Sequence, residues 1–214
     1  MKRINKRSWS GEPLVLFVEG YSDLRFYAEM MEHLGKHGDC FIQDLGGKGR
    51  DKLKDEAALL LTPVSLSKIT AVAVILDADD NADAALRLAQ GALRQFVGAE
   101  IPEERVWVPA NTGNTRFGIF IVGDQDRKGE IETIAWNAWK NSDKNKPHTD
   151  CIERYIQCVE ASGARVQSRD KVRVGAMLAV HSEDDPRLGP GTQKKIFNLD
   201  APEFDSLRVF LGAM

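Results

Sequence analysis

With 214 residues, 43% of them apolar and 29% charged, the chain is long enough for one substantial hydrophobic core and too short for two ordinary enzyme domains with a linker. Its formal charge of -3 excludes the strong net basicity of a protein that coats DNA, yet leaves a nucleic-acid partner open, because steering depends on local patches. Three cysteines, Cys40, Cys151 and Cys158, form no CxxC pair, which argues against a disulfide framework or a structural zinc site.

Residues 1–12 read as an N-terminal tail and residues 13–214 as a single domain. The tail carries Lys2, Arg3, Lys6 and Arg7 but no apolar run before a small-residue cleavage site. No apolar stretch elsewhere approaches the length of a membrane span, so a cytoplasmic protein without membrane contact is expected. Residues 14–18 form a continuous apolar run ending at Glu19 and Gly20, the signature of a strand buried on both faces. Ser22 can cap the following helix with Asp23 in its first turn; Leu24, Tyr27, Met30, Met31 and Leu34 recur at helical spacing, and Gly35 ends the element. A second short strand is expected at 40–42, then a turn at Gly46, Gly47, Lys48 and Gly49, and a helix over 53–61 stopped near Pro63.

Residues 69–76 make the clearest central strand, which delivers Asp77, Asp79 and Asp80 at its C-terminal end. Asn81 or Asp80 caps a helix over 84–96. Strands follow at 106–108 and 117–122, joined by a turn at 111–115. A polar loop from Asp124 to Glu130 leads into a helix around 131–139. Strands alternating with helices imply a mainly parallel sheet with right-handed crossovers. Beyond a polar break at 141–147, helices are expected at 152–159, 172–180 and 201–211, with 183–191 a charged, Gly- and Pro-rich loop. Residues 145–214 read either as a helical extension of the same core or as a separate small domain.

Two apolar strands thus end in carboxylates. Glu19 at a strand end and Asp23 at a helix start can both face the crevice outside the sheet, and Asp77 and Asp79 share a face if the extended backbone persists. Open α/β sheets place ligand sites at this edge. Four converging carboxylates repel one another unless protonated, spread apart or bridged by a cation. Oxygen ligands suit magnesium or manganese. Taken singly, each acid has an ordinary role as a strand-end or helix-start residue; the coincidence of two strands favours the site.

Other groups carry less. Asp124 and Asp126 repeat the strand-end spacing, and Glu132 sits in the first turn of the next helix; a second metal site and a solvated loop are equally good readings. Lys171 and Arg173 lie in a basic segment with Arg165 and Arg169 and could meet phosphate charge. The glycines at 46–49 with Arg50 could cradle phosphate, but the segment lacks the P-loop pattern and reads first as an ordinary turn. His33, His37, His148 and His181 have no ligand spacing, and the four tryptophans form no evident stacking platform.

The segment ending in Glu19 and Asp23, followed by the strand ending in Asp77 and Asp79, resembles the Toprim domain of topoisomerases, bacterial primases and OLD-type nucleases. The Glu-x-x-x-Asp spacing and the later Gly129 to Glu132 segment look like the OLD-type branch and its small stand-alone relatives. The core resemblance covers about residues 12–125. It implies a Toprim-like three-layer α/β fold with a mainly parallel sheet flanked by helices. It also implies that Glu19 binds metal and assists proton transfer, that Asp77 and Asp79 hold metal, and that Asp23 and Glu132 are further ligands. Lys171 would be the lysine that meets transition-state charge. Absent are the P-loop of an OLD ATPase, a topoisomerase's tyrosine arrangement and a primase's nucleotide-handling regions.

Three functions compete. The first is Mg2+- or Mn2+-dependent phosphodiester hydrolysis on DNA or RNA, with Glu19, Asp77 and Lys171 catalytic, alone or beside a separate ATPase partner. The second is a non-catalytic, metal-modulated module that binds nucleic acid or protein. The third is a receiver-like protein phosphorylated on a strand-end aspartate. The sequence sets neither the oligomeric state nor the choice between DNA and RNA.

Overall fold

Both faces of the central strands are apolar because both are covered. The structure, a computed structural model, describes residues 8–46, 52–181 and 185–214, and the backbone alone of Asp143. The run at 14–18 forms β1 (Leu14–Val18), and its neighbours are β2 (Cys40–Asp44) and β3 (Ala71–Asp77). Beyond them lie β4 (Val108–Pro109) and β5 (Arg116–Val122), giving the sheet order β2-β1-β3-β5-β4. The β1–β2, β1–β3 and β3–β5 pairs are parallel, and only the short edge strand β4 runs antiparallel.

Alternate residues of each strand enter opposite layers, as the period of two requires. Leu14, Leu16, Val18, Ala71, Ala73 and Ile75 join one buried cluster with α1 (Tyr21–His33), α5 (Ile131–Lys140), α7 (Arg169–His181), α8 (Leu188–Gln193) and α9 (Asp205–Gly212). Val15, Phe17, Val72, Val74 and Leu76 pack on α2 (Leu53–Leu60) and α4 (Ala82–Leu93). The architecture is therefore three-layered α/β, with a mostly parallel sheet between helices. Full burial of each large side chain, Phe17 and Phe204 among them, contributes roughly 1.5–3 kcal/mol. The short α3 (Pro63–Leu66) leads into β3, and α6 (Lys146–Ala161) packs on α7.

Several boundaries differ from expectation for local reasons. α1 begins at Tyr21 with Gly20 as its N-cap, so Asp23 rather than Ser22 closes the first turn. Pro63 does not merely stop α2; it opens α3, whose N-cap Thr62 accepts the Ser65 N–H at 3.2 Å. Part of the polar break at 141–147 is the start of α6, where Pro147 occupies a first-turn position whose N–H has no helical partner. The expected loop at 183–191 contains the start of α8: Pro190 again falls in a first turn, and Gly189 lets the helix press against α1. A Cβ at Gly189 would lie 2.6 Å from the Arg25 Cβ and 2.8 Å from the Ser22 carbonyl oxygen. Residues 182–184 and the glycine turn from Gly47 to Arg50 lie outside the described residues. Among the described residues, no helix is long and apolar enough to cross a membrane.

Candidate metal centre

The sheet order reverses between β1 and β3: one connection leads outward to β2, the other to β3 and β5. A crevice at the C-terminal ends of the strands is expected at such a switch point. Glu19 and Asp77 stand there. The Glu19 Oε1 accepts the Asp77 backbone N–H at 2.9 Å, tying the two strand ends together. Asp77 Oδ1 in turn accepts the N–H of Ile131, the first residue of α5, at 3.1 Å.

Asp79 is placed by backbone geometry. Its φ of 47° is left-handed, and it is held by a two-way bridge to Gly129, with N···O distances of 2.8 and 2.7 Å. The extended spacing expected for Asp77 and Asp79 therefore breaks at Asp79, yet the turn keeps both carboxylates in one group. Gly129 has φ 103°, and a Cβ there would lie 2.4 Å from the Thr133 Oγ1, so only glycine serves. The next residue, Glu130, is the N-cap of α5 and forms a capping box with Thr133, whose Oγ1 accepts the Glu130 N–H at 3.0 Å.

Carboxylate oxygens of Asp77, Asp79 and Glu130 all lie within 4.8 Å of one another. Glu130 is buried, Asp77 half-buried and Asp79 exposed, so the group opens to solvent on the Asp79 side. The Ser168 hydroxyl donates to Glu130 Oε1, and the Lys171 ammonium, from the first turn of α7, pairs with Oε2. A carboxylate offers about four lone-pair directions, so these partners leave room on Glu130 for a cation. A set of three carboxylates fits a hard divalent ion such as Mg2+ or Mn2+.

The electrostatics show what the cluster lacks. Burial, then the charges of Asp23, Glu19, Glu132 and Glu130, pushes the Asp77 carboxyl well above its ordinary range. Burial also raises Asp23 to about 6, against the hydrogen bond that its Oδ2 accepts from the Gly20 N–H at 2.8 Å. Glu132, in the first turn of α5, rises to about 7 through burial and the neighbouring Glu130, with Lys171 opposing. Burial works against the Lys171 charge, but the hydrogen bond to Glu130 and the surrounding carboxylates carry its pKa above the ordinary lysine value. The acids are thus held up first by burial and then by one another's charge, which one lysine relieves only in part.

Glu19, Asp23, Glu132 and Lys171 all act electrostatically on this cluster, but among the described residues the three converging carboxylates are Asp77, Asp79 and Glu130. Sequence reasoning missed Glu130, preferring Glu132 two residues on. The available signal was the Glu-x-x-Thr spacing of Glu130 and Thr133, a capping box read in reverse. Asp124 stands apart: its Oδ1 accepts the N–H groups of Asp126 and Lys128 at 2.9 and 3.1 Å and folds its own turn. Arg169 and Arg173 are ion-paired with Glu160 and with Glu153 and Asp170, respectively. Beside Ala78, Arg105 and Arg127 line a shallow recess and share Glu104.

Fold and cluster together define a three-layer α/β protein with an acidic centre at its sheet edge. The chain belongs to the family DUF3226, described as a protein of unknown function, which it matches over residues 13–214. No curated protein and no solved structure matches it.

Proposed function

We propose that this protein is a Mg2+- or Mn2+-dependent phosphodiesterase acting on nucleic acid, with a Toprim-like acidic centre of the OLD type. The observation that carries the reading is the convergence of Asp77, Asp79 and Glu130 within 4.8 Å at the switch point of the sheet. These three residues would hold the cation. When bound, it would supply Lewis-acid charge to a phosphate oxygen and ease deprotonation of water. Glu19 fixes the Asp77 backbone and completes the negative wall. Glu132, buried in the first turn of α5, adds a further carboxylate beside Glu130. Lys171 stays charged and can swing from Glu130 to a phosphate oxygen as negative charge grows there. Arg105 and Arg127, at the neighbouring recess, offer further guanidinium contacts to a phosphate backbone.

One observation favours a second reading, a metal-modulated binding module without turnover: both Glu130 oxygens already have partners, Ser168 just before α7 and Lys171 on it. A nuclease screen on single- and double-stranded DNA and RNA, with Mg2+ or Mn2+, separates the two. The phosphodiesterase reading expects cleavage by the parent that disappears in folded Asp77→Asn and Glu130→Gln proteins. Cation binding without cleavage of any substrate would favour the binding module, and equal cleavage by all three proteins would remove the site assignment.

A further inference from the structure

Behind Glu130 runs a chain of polar contacts that reaches from the acidic centre to the C-terminal helices. The Thr133 hydroxyl accepts the Glu130 N–H at 3.0 Å and gives its one proton to Asp170 Oδ2 at 2.5 Å. The other Asp170 oxygen takes the Arg173 Nη1 at 2.6 Å. Arg173 then grips Glu153 of α6 with Nε and Nη2, at 2.8 and 3.1 Å, in the two-pronged geometry that makes Arg–carboxylate pairs strong and directional. Its guanidinium also lies 5.9 Å from the Trp136 ring centre.

We propose that Thr133, Asp170, Arg173 and Glu153 form a positioning network that holds Glu130 in the geometry a divalent cation requires, which makes α6 and α7 part of the metal centre. The inference rests on the metal-binding reading above.

Helix packing alone explains only part of this arrangement. The Arg173–Glu153 pair would suffice to join α7 to α6, yet Asp170 extends the chain to a hydroxyl inside the capping box that begins α5. The backbone is built around that hydroxyl: Gly129 lacks the Cβ that would collide with it, and the same Gly129 bridges Asp79. One oxygen atom, the Thr133 Oγ1, is therefore interlocked with the backbone on which two of the three converging carboxylates stand. Ser168, the residue before α7, holds the same glutamate a second time through its hydroxyl on Oε1. By contrast the Arg169–Glu160 pair, with Arg169 half exposed, reaches none of the three.

The test is calorimetric titration of Mn2+ into metal-free full-length protein, beside Thr133→Val, Thr133→Ser and Asp170→Ala proteins, each with its melting temperature. Valine keeps the shape of threonine and deletes the hydroxyl; serine keeps the hydroxyl. Partners one shell out from a metal ligand change affinity by about 10- to 100-fold. Thr133→Val and Asp170→Ala should weaken Mn2+ by that factor while remaining folded, and Thr133→Ser should restore affinity to within about threefold of the parent. A purely structural role would lower the melting temperature of Thr133→Val and leave Mn2+ affinity unchanged, and that result overturns the inference. If Thr133→Val does not fold, the contrast of Asp170→Ala with the parent decides alone. A parent that fails to bind Mn2+ removes the metal reading and the network's role with it, whereas a binding parent with unaffected variants removes only the network.

Discussion

Replacing Glu132 by glutamine converts the cost of a buried carboxylate in the acidic cluster into a measurable stability. The Glu132 carboxyl rises from 4.5 to about 7 on folding, chiefly through burial and then the Glu130 charge. At about 1.4 kcal/mol per tenfold change in proton affinity, that difference corresponds to roughly 3 kcal/mol, a large share of a domain's usual 5–15 kcal/mol. The sign follows from linkage: the folded protein binds the proton more tightly, so the contribution is fully present below about 4.5 and is lost as pH rises through about 7. Glutamine imitates the protonated acid and does not titrate. In urea unfolding with a metal chelator, parent and Glu132→Gln should have similar stability at pH 4.5. They should diverge through neutrality, with the variant more stable by up to about 3 kcal/mol at pH 8. Asp23 and Asp77, whose carboxyls are raised as well, leave a residual slope in both proteins. Saturating Mn2+ should stabilise the parent and narrow the gap, because a bound cation offsets the same repulsion. Parallel stability curves from pH 4.5 to 8 would refute the picture of a buried, mutually repelling cluster.

Asp77→Asn retains an Oδ1 that can accept the Ile131 N–H but removes a buried charge; its melting temperature at pH 8 should exceed the parent's, with Mn2+ binding lost in calorimetry. Lys171→Met removes the ammonium that shares Glu130, and a unit charge a few ångströms from a cation near a protein surface is worth about 1–3 kcal/mol, so Mn2+ affinity should rise on the order of tenfold. Gly189→Ala drives a methyl into the Arg25 Cβ and the Ser22 carbonyl, both rigid parts of α1, and should lower unfolding free energy by about 1–3 kcal/mol in denaturant titration.

The strands that carry the site were readable because they are covered on both faces. An uninterrupted apolar run such as 14–18 or 71–76 leaves its first charged residue, Glu19 or Asp77, marking the strand end. The cap of α4 was legible to within one residue: of Asp80 and Asn81, it is the Asn81 side chain that accepts the Ala84 N–H, at 2.9 Å. Legibility failed where tertiary contact overrides local preference. Gly189, Pro190 and Gly191 have poor helical propensity, and α8 exists because its glycines admit close approach: a Cβ at Gly191 would lie 2.4 Å from the Leu178 Cδ2. Glu130 was obscured for another reason. It follows an exposed, charged loop, and its role depends on Gly129 pairing with Asp79, fifty residues away, which spacing along the chain does not reveal.

The acids of this centre have structural work as well, and magnitudes show that such work does not account for them. Asp23 closes the first turn of α1, Asp77 accepts the first N–H of α5, and Glu130 caps α5. Helix N-termini suit negative charge, with backbone N–H groups and the helix dipole in support. A cap contributes typically about 1 kcal/mol, and a neutral serine or asparagine serves as well. Keeping a carboxylate ionised here has a cost that, for Glu132, amounts to roughly 3 kcal/mol near pH 8, chiefly from burial and then from the Glu130 charge, beyond what a cap returns. Stability alone would be better served by a neutral cap at 23 and amides at 77 and 132. A divalent cation reverses that balance, since it converts the repelling carboxylates into ligands and leaves their backbone hydrogen bonds in place. The surplus of negative charge over what the helices need is therefore the strongest physical argument that the site is built to receive a cation.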